Sequence, residues 1–160
     1  MPEFTMGYNT NIKFGNLDFA AYSYASIGND IVRNYERSLS DVNKLNYVLG
    51  RWTGEGTSNY VPRVTTAATT NNLFSDYFVE DGSFFRIQNI QLGYTINRNF
   101  TDKVGISKLR IYSSINNVYT FTKYKGFDPT VSSGAAVGGG IDNGFYPSSR
   151  VYIFGVNLNF

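Results

Sequence analysis

The sequence contains neither cysteine nor histidine. No disulfide framework, thiolate metal site, Ser-His-Asp triad or Cys-His pair can be built from it, and zinc would lack its usual ligands. Charge is scarce as well. Asp, Glu, Lys and Arg make up 16% of the 160 residues, against roughly 25% in typical soluble domains. A surface so poor in charge needs a partner or a lipid phase to cover it. The net charge of +2 and the scattered, single Lys and Arg residues form no basic stripe, so nucleic acid is excluded as a partner. No apolar run reaches about 18 residues, which excludes a transmembrane helix but leaves transmembrane strands open. The opening MPEFTMGYNT has neither the basic start nor the apolar stretch of a signal peptide.

What the chain does contain points to β structure. Aromatic residues reach 17%, with 13 Tyr and 13 Phe, and there are 16 Gly. Asn, Ser and Thr are plentiful while Leu is sparse. Aromatics and Thr suit pleated strands, and Gly and Asn suit turns. Alternation with period two is the clearest signal. In VYIFGVNLNF, Tyr152, Phe154, Val156, Leu158 and Phe160 share one face, opposite Ile153, Gly155, Asn157 and Asn159. Near the start, Phe4, Met6, Tyr8, Ile12 and Phe14 alternate with Thr5, Gly7, Asn9, Asn11 and Lys13, and Gly15-Asn16 reads as a tight hairpin turn. A second strand begins at Leu17, its facing blurred around Tyr22 to Tyr24. A third is centred on Arg86 to Ile96, with Ile90, Leu92, Tyr94 and Ile96 opposite Gln91, Gly93 and Thr95. A fourth runs from about Leu109 to Phe121, with a bulge expected at Asn116-Asn117 because Val118 then falls on the wrong face.

The connections carry as much information as the strands. They run short (Gly15-Asn16), long (about Gly28 to Tyr77), short (Arg98 to Lys108) and long (Thr122 to Arg150). Long structureless links are uncommon inside compact soluble domains, whereas outer-membrane barrels alternate short periplasmic turns with long extracellular loops. Strands of about 10 to 13 residues meet the length a tilted membrane strand requires. In that orientation the last strand runs from outside to inside, and Phe160 lies at the periplasmic rim facing lipid. Tyr152, Phe154, Val156, Leu158 and Phe160 then form a candidate barrel-assembly signal. The competing reading is a soluble antiparallel sandwich, a carbohydrate-binding module whose apolar face is its core.

Catalytic, metal and cofactor sites are not expected. Glu80 and Asp81 are adjacent, so a strand would point them to opposite faces. The stretch SSGAAVGGGIDNG lacks the Lys-Ser/Thr ending of a phosphate loop. Asp142-Asn143-Gly144 offers oxygens that calcium could use, but its composition is that of a turn. Among the loop aromatics, Trp52, Tyr124, Phe127 and Tyr146 are candidate contacts to a ligand or a lid, with Tyr60 beside them; the alternatives are that these rings pack the loops together or form a barrel's interfacial girdle.

Several stretches resemble one family. RWTGEGTSNYVPR (Arg51 to Arg63), SDYFVEDGSFFRIQNIQLGYTI (Ser75 to Ile96), LRIYSSINNVYTFTKYKGFDPTV (Leu109 to Val131) and YPSSRVYIFGVNLNF (from Tyr146) are similar to recurring segments of the SusC/RagA-type TonB-dependent outer-membrane transporters. The opening MPEFTMGYNTNIKFGNLDF resembles a late barrel hairpin of that family. The resemblance implies a 22-stranded, plugged barrel, of which residues 1–160 supply roughly the last five strands, with the plug domain and the amino-terminal strands absent. It also implies import of glycans or peptides across the outer membrane of a Gram-negative bacterium, with a SusD-like surface lipoprotein as lid. Energy would come from the TonB complex, acting through the missing amino-terminal part, and insertion from the barrel assembly machinery. A non-transporting structural or adhesive barrel is the alternative within the membrane class. The Gly134 to Gly144 loop is expected to be particular to this member and to face the lipoprotein. Five strands leave two unpaired edges whose amides lipid cannot satisfy, so the isolated chain is expected to aggregate or to need detergent.

Overall fold

The computed structural model describes residues 1–38, 44–65, 69–71, 73–130 and 139–160. Of the Gly134 to Gly144 loop, residues 134–138 lie outside the described residues. In chain order the elements are β1 (Phe4–Phe14), β2 (Leu17–Ile27), β3 (Asp30–Arg33), α1 (Asn34–Ser38), β4 (Val79–Asp81), β5 (Phe84–Thr95), α2 (Arg98–Thr101), β6 (Lys108–Thr122), β7 (Ile141–Asp142) and β8 (Val151–Asn159), with short 3-10 turns between them. They form two compact units. The first comprises Met1–Asp30, Asp81–Pro129 and Tyr146–Phe160; the second comprises Ile31–Glu80 and Thr130–Phe145.

The first unit is a five-stranded sheet in the order β1-β2-β5-β6-β8, and each neighbouring pair is antiparallel. Its five strands are the five the sequence predicts. The first hairpin closes through Gly15, whose φ of 57° is the positive first central angle of a II′ turn, the hand that matches strand twist. At the other short connection, α2 is capped by Asn97, whose side chain accepts from the Asn99 N–H. Because the strands alternate in direction, the two long connections leave and re-enter the sheet at the same end.

Two register shifts interrupt the ladders at neighbouring positions. Against β2, strand β5 carries one extra residue at Gln88. Against β5, strand β6 carries one extra between Asn116 and Tyr119. Asn117 takes a left-handed φ of 53° there, a conformation Asn tolerates better than most residues. The expected bulge is therefore present, and Gln88 Nε2 donates to Asn117 Oδ1 across it at 3.2 Å. Strand β2 itself runs unbroken against β1 from Phe4↔Ile27 to Phe14↔Leu17; its facing is blurred in the sequence because Tyr22 and Tyr24 fall on the face of Asp18 and Ala20, while Ser23 falls on the face of Leu17, Phe19 and Ala21.

The second unit departs from expectation. The link after Gly28 is a folded segment and not a plain loop. It contains β3, α1, β4 and two 3-10 turns, Asn46–Gly50 and Asp76–Phe78. A three-stranded sheet in the order β4-β3-β7 joins residues from both long connections, with β3 and β7 parallel through Val32↔Ile141 and Arg33↔Asp142. Strands of two to four residues are too short for alternation to reveal. Among the described residues no helix is long and apolar enough to cross a membrane.

Candidate functional site

The sheet has two chemically opposite faces, and the register assembles them row by row. One face carries Ile12–Phe19–Leu92–Ser113–Phe154 and Phe14–Leu17–Tyr94–Ile111–Val156 across all five strands. These apolar side chains are not a buried core: Phe14 is 85% exposed, Phe154 82% and Phe160 90%. A soluble sandwich buries its apolar face; here that face is open. A contiguous exposed apolar surface of this kind marks contact with lipid or protein.

The opposite face is polar and bonded. Asp18 on β2 and Arg110 on β6 pair across the intervening β5, with Nε to Oδ1 at 2.9 Å. Gly93 of β5 lies beneath the pair, and a Cβ there would collide with both side chains. The same row, Asp18–Gly93–Tyr112–Gly155, repeats the device one strand pair on, since the Tyr112 ring occupies the space that a side chain at Gly155 would need. Arg110 also lies 5.0 Å from the Tyr112 ring centroid, within cation–π range. Further along, Asn89 donates to Ser114 Oγ at 2.8 Å and to Asn116 Oδ1 at 2.6 Å. Ion pairs such as Asp18–Arg110 on one face and bare aromatics on the other are the arrangement of a barrel wall with a polar interior.

A latch draws the connection after β6 back onto the polar face. Arg86 of β5 donates to Thr120 Oγ1 at 2.7 Å and pairs with Asp128 at 2.5 Å, both partners of the ion pair being buried. The other Asp128 oxygen accepts from the Ser148 N–H at 3.1 Å, just ahead of β8. Tyr124, in the same segment, is 5% exposed, its ring folded over Gly126 where any Cβ would collide. Phe127 and Tyr146, by contrast, are 61% and 91% exposed.

In the second unit, Arg33 is fully buried. It binds the Glu36 carboxylate, the Glu80 carboxylate at 3.0 Å, the Tyr47 hydroxyl at 2.7 Å and the Tyr77 carbonyl at 2.8 Å. Tyr47 in turn donates to Glu36 at 2.6 Å. Burial works against the Arg33 charge, but Glu36, Tyr47 and Glu80 outweigh it and hold the guanidinium above its ordinary value. Glu80 and Asp81 do diverge as adjacency requires: Asp81 accepts from the Ser83 N–H at 2.8 Å instead. Asp142 ends β7, and its Oδ1 accepts from the Gly144 and Phe145 N–H groups of the turn that follows, at 2.8 and 3.4 Å. Among the described residues no group of three or more Asp or Glu is placed to hold a metal. Trp52, 41% exposed, lines an open groove with Tyr60 and Arg63.

Two buried phenols give the second unit a pH signature. The Tyr35 hydroxyl is pushed up to about 12 from 10.0, first by burial and then by the Glu36 and Asp142 carboxylates. Tyr47 is raised further, by burial and its bond to Glu36. A raised folded-state value means the stabilisation is complete below the unfolded value and is lost as pH climbs through the folded one. The second unit is therefore expected to open between pH 10 and about 12. Tyrosinate absorbance followed alongside protease sensitivity of residues 31–80 checks this. Ionisation of these phenols near their ordinary value, with the segment still protected, would contradict it.

The ion pairs just described are not apparent in the sequence. Arg86 and Asp128 are 42 residues apart and Asp18 and Arg110 are 92 apart, so only the fold brings them together. The one local signal is an isolated Arg at a polar-face position inside an alternating strand.

No family model matches the sequence. The chain is 32% identical to TonB-dependent receptor P3 of Formosa agariphila, over 99% of this chain and 16% of that protein. It is 28% identical to TonB-dependent receptor SusC of Bacteroides thetaiotaomicron, over 97% of this chain and 15% of that protein. Among solved structures, the RagAB peptide importer in its open-open state superposes with a TM-score of 0.77 at 26% identity, covering 100% of this chain and 17% of that one. The RagAB peptide transporter gives 0.74 at 27% identity. The chain thus spans only a small part of the length of each relative, but nearly all of it is matched. Sequence identity, five-stranded meander and inside-out faces agree, and the chain belongs to the SusC/RagA family of TonB-dependent receptors, whose carboxy-terminal barrel segment it matches.

Proposed function

We propose that the chain works as part of an outer-membrane active importer of glycans or peptides in a Gram-negative bacterium. The observation that carries this reading is the sheet with its apolar face exposed and buried or half-buried ion pairs on the other face, in a chain related along its whole length to TonB-dependent receptors. In this reading lipid covers the apolar face and the polar face lines the barrel interior. The two long connections open to the outside, where a SusD-like lipoprotein closes over them. The TonB complex acts through a plug domain and further strands outside residues 1–160. The chain has no enzymatic role. Deleting the gene and measuring growth and uptake on defined glycans and peptides tests the reading. Loss of one class supports import; full growth on every substrate, with the protein present at the surface, points to a structural barrel.

The face formed by Tyr152, Phe154, Val156, Leu158 and Phe160 serves as the assembly signal. β8 is an edge strand with its aromatics unobstructed, as docking to the assembly machinery needs. Deleting Phe160 from the full-length protein is expected to lower its outer-membrane level severalfold, measured by fractionation and immunoblotting. An unchanged level would refute the role. Trp52, Phe127 and Tyr146 are exposed contacts for ligand or lid, whereas buried Tyr124 acts by shaping the segment that presents Phe127.

A further inference from the structure

The segment Arg51 to Arg63 is hydrogen-bonded to itself at several points. The Trp52 N–H donates to the Val61 carbonyl at 2.9 Å. Those of Thr53 and Gly54 donate to Thr57 Oγ1 at 2.9 and 3.2 Å, and the Thr57 N–H donates to the Gly54 carbonyl at 3.2 Å. Those of Tyr60 and Val61 donate to Ser58 Oγ at 3.4 and 3.1 Å. Two consequences follow. The loop is ordered before any ligand arrives, which removes part of the entropic cost of binding. With these N–H groups occupied, a peptide finds little free backbone to pair with by strand addition. Recognition falls to the side chains.

Those side chains line an open groove of about 450 Å³ that includes Trp52, Asn59, Tyr60, Pro62 and Arg63, within the roughly 300–1,000 Å³ of small-ligand sites. Trp52 and Tyr60 are 41% and 59% exposed, and Tyr60 is steadied by Tyr77 at 5.4 Å between ring centroids. Exposed ring faces attract the weakly positive C–H faces of a pyranose. Asn59 can meet hydroxyls. Arg63 is exposed and forms no ion pair among the described residues, Glu55 of the same loop included. Its planar donor fork suits a carboxylate or sulfate.

We propose that this groove is a subsite for an anionic pyranose unit, stacked on Trp52 and Tyr60 and paired through its carboxylate or sulfate with Arg63. The inference rests on the importer reading and narrows its substrate to acidic oligosaccharides.

The test uses the full-length transporter in detergent and calorimetric titration with four probes. These are an oligogalacturonate, its neutral methyl ester, a sulfated oligosaccharide and a glutamate-rich peptide. The oligogalacturonate or the sulfated chain is expected to bind about tenfold or more tightly than the ester, as a charged hydrogen bond implies, and which of the two binds identifies the anion. Arg63→Gln should erase that preference, and Trp52→Ala should weaken both charged and neutral sugars while Trp52→Phe restores most of the affinity. If Trp52→Ala fails to insert, exposed Arg63→Gln still decides. The proposal is overturned if ester and acid bind alike, if the preference survives Arg63→Gln, if only the peptide binds, or if nothing binds. Loss of uptake on gene deletion, with uptake intact in Arg63→Gln and Trp52→Ala, would remove this subsite and leave the importer reading standing.

Discussion

Replacing Arg33 with alanine is expected to unfold the second unit while the five-stranded sheet keeps its ladders. The guanidinium is completely buried and contacts two carboxylates, a phenol and a backbone carbonyl. Removing it leaves Glu36 and Glu80 facing each other's field without a counter-charge. Breaking a buried pair by deleting one partner costs about 3–5 kcal/mol, a large part of the stability of a small unit. The penalty falls on the second unit because every partner of Arg33 named above lies within it. Hydrogen exchange on the full-length protein in detergent should show protection lost over residues 31–38 and 76–80 and retained in β1, β2, β5, β6 and β8. Arg33→Lys should recover little, since an ammonium cannot span the same set of acceptors. Unchanged exchange over β3 and β4 in Arg33→Ala would show that the cluster does not hold the unit.

The second large effect separates two adjacent residues. Ile90 and Gln91 lie side by side near the middle of β5 but on opposite faces, Ile90 between Ala21 and Ile115, Gln91 between Ala20 and Ser114. If lipid covers the apolar face, Ile90→Arg places a charge in hydrocarbon and costs about 2–4 kcal/mol near the midplane. Gln91→Arg adds the same side chain to a face already carrying Arg86 and Arg110 and should cost far less. Denaturant titration of the full-length protein folded into vesicles measures both. Equal penalties would argue that the two faces meet similar surroundings and would remove the membrane assignment of the apolar face.

The strands were legible because each satisfies a local rule many times over. In β1, five apolar residues fall on one side of eleven positions, and alternation that regular leaves one choice of facing. Gly15-Asn16 specifies the first register on its own, since two residues between apolar runs admit little but a tight hairpin. The bulge at Asn117 was legible for a related reason: Val118 broke an otherwise strict pattern. By contrast, β3, β4 and β7 hold two to four residues each and have no period to read. Their pairing joins Val32 to Ile141, two connections that the sequence presents as unrelated loops.

The candidate sites divide along the same line. The exposure of Phe154 and Phe160 follows from strict alternation along the last strand, which sets both on the apolar face. Tyr124 and Phe127 look equivalent in the sequence, as aromatics in one polar segment. They differ because Asp128 reaches Arg86 on β5 and folds the segment so that one ring is enclosed and the other is left out. Composition and alternation by themselves determined an antiparallel sheet with one apolar and one polar face, because both act over neighbouring residues. Tertiary structure decided which charges pair, which loop rings stay open and that the long connections fold, because those outcomes depend on groups that only chain reversal brings within bonding distance.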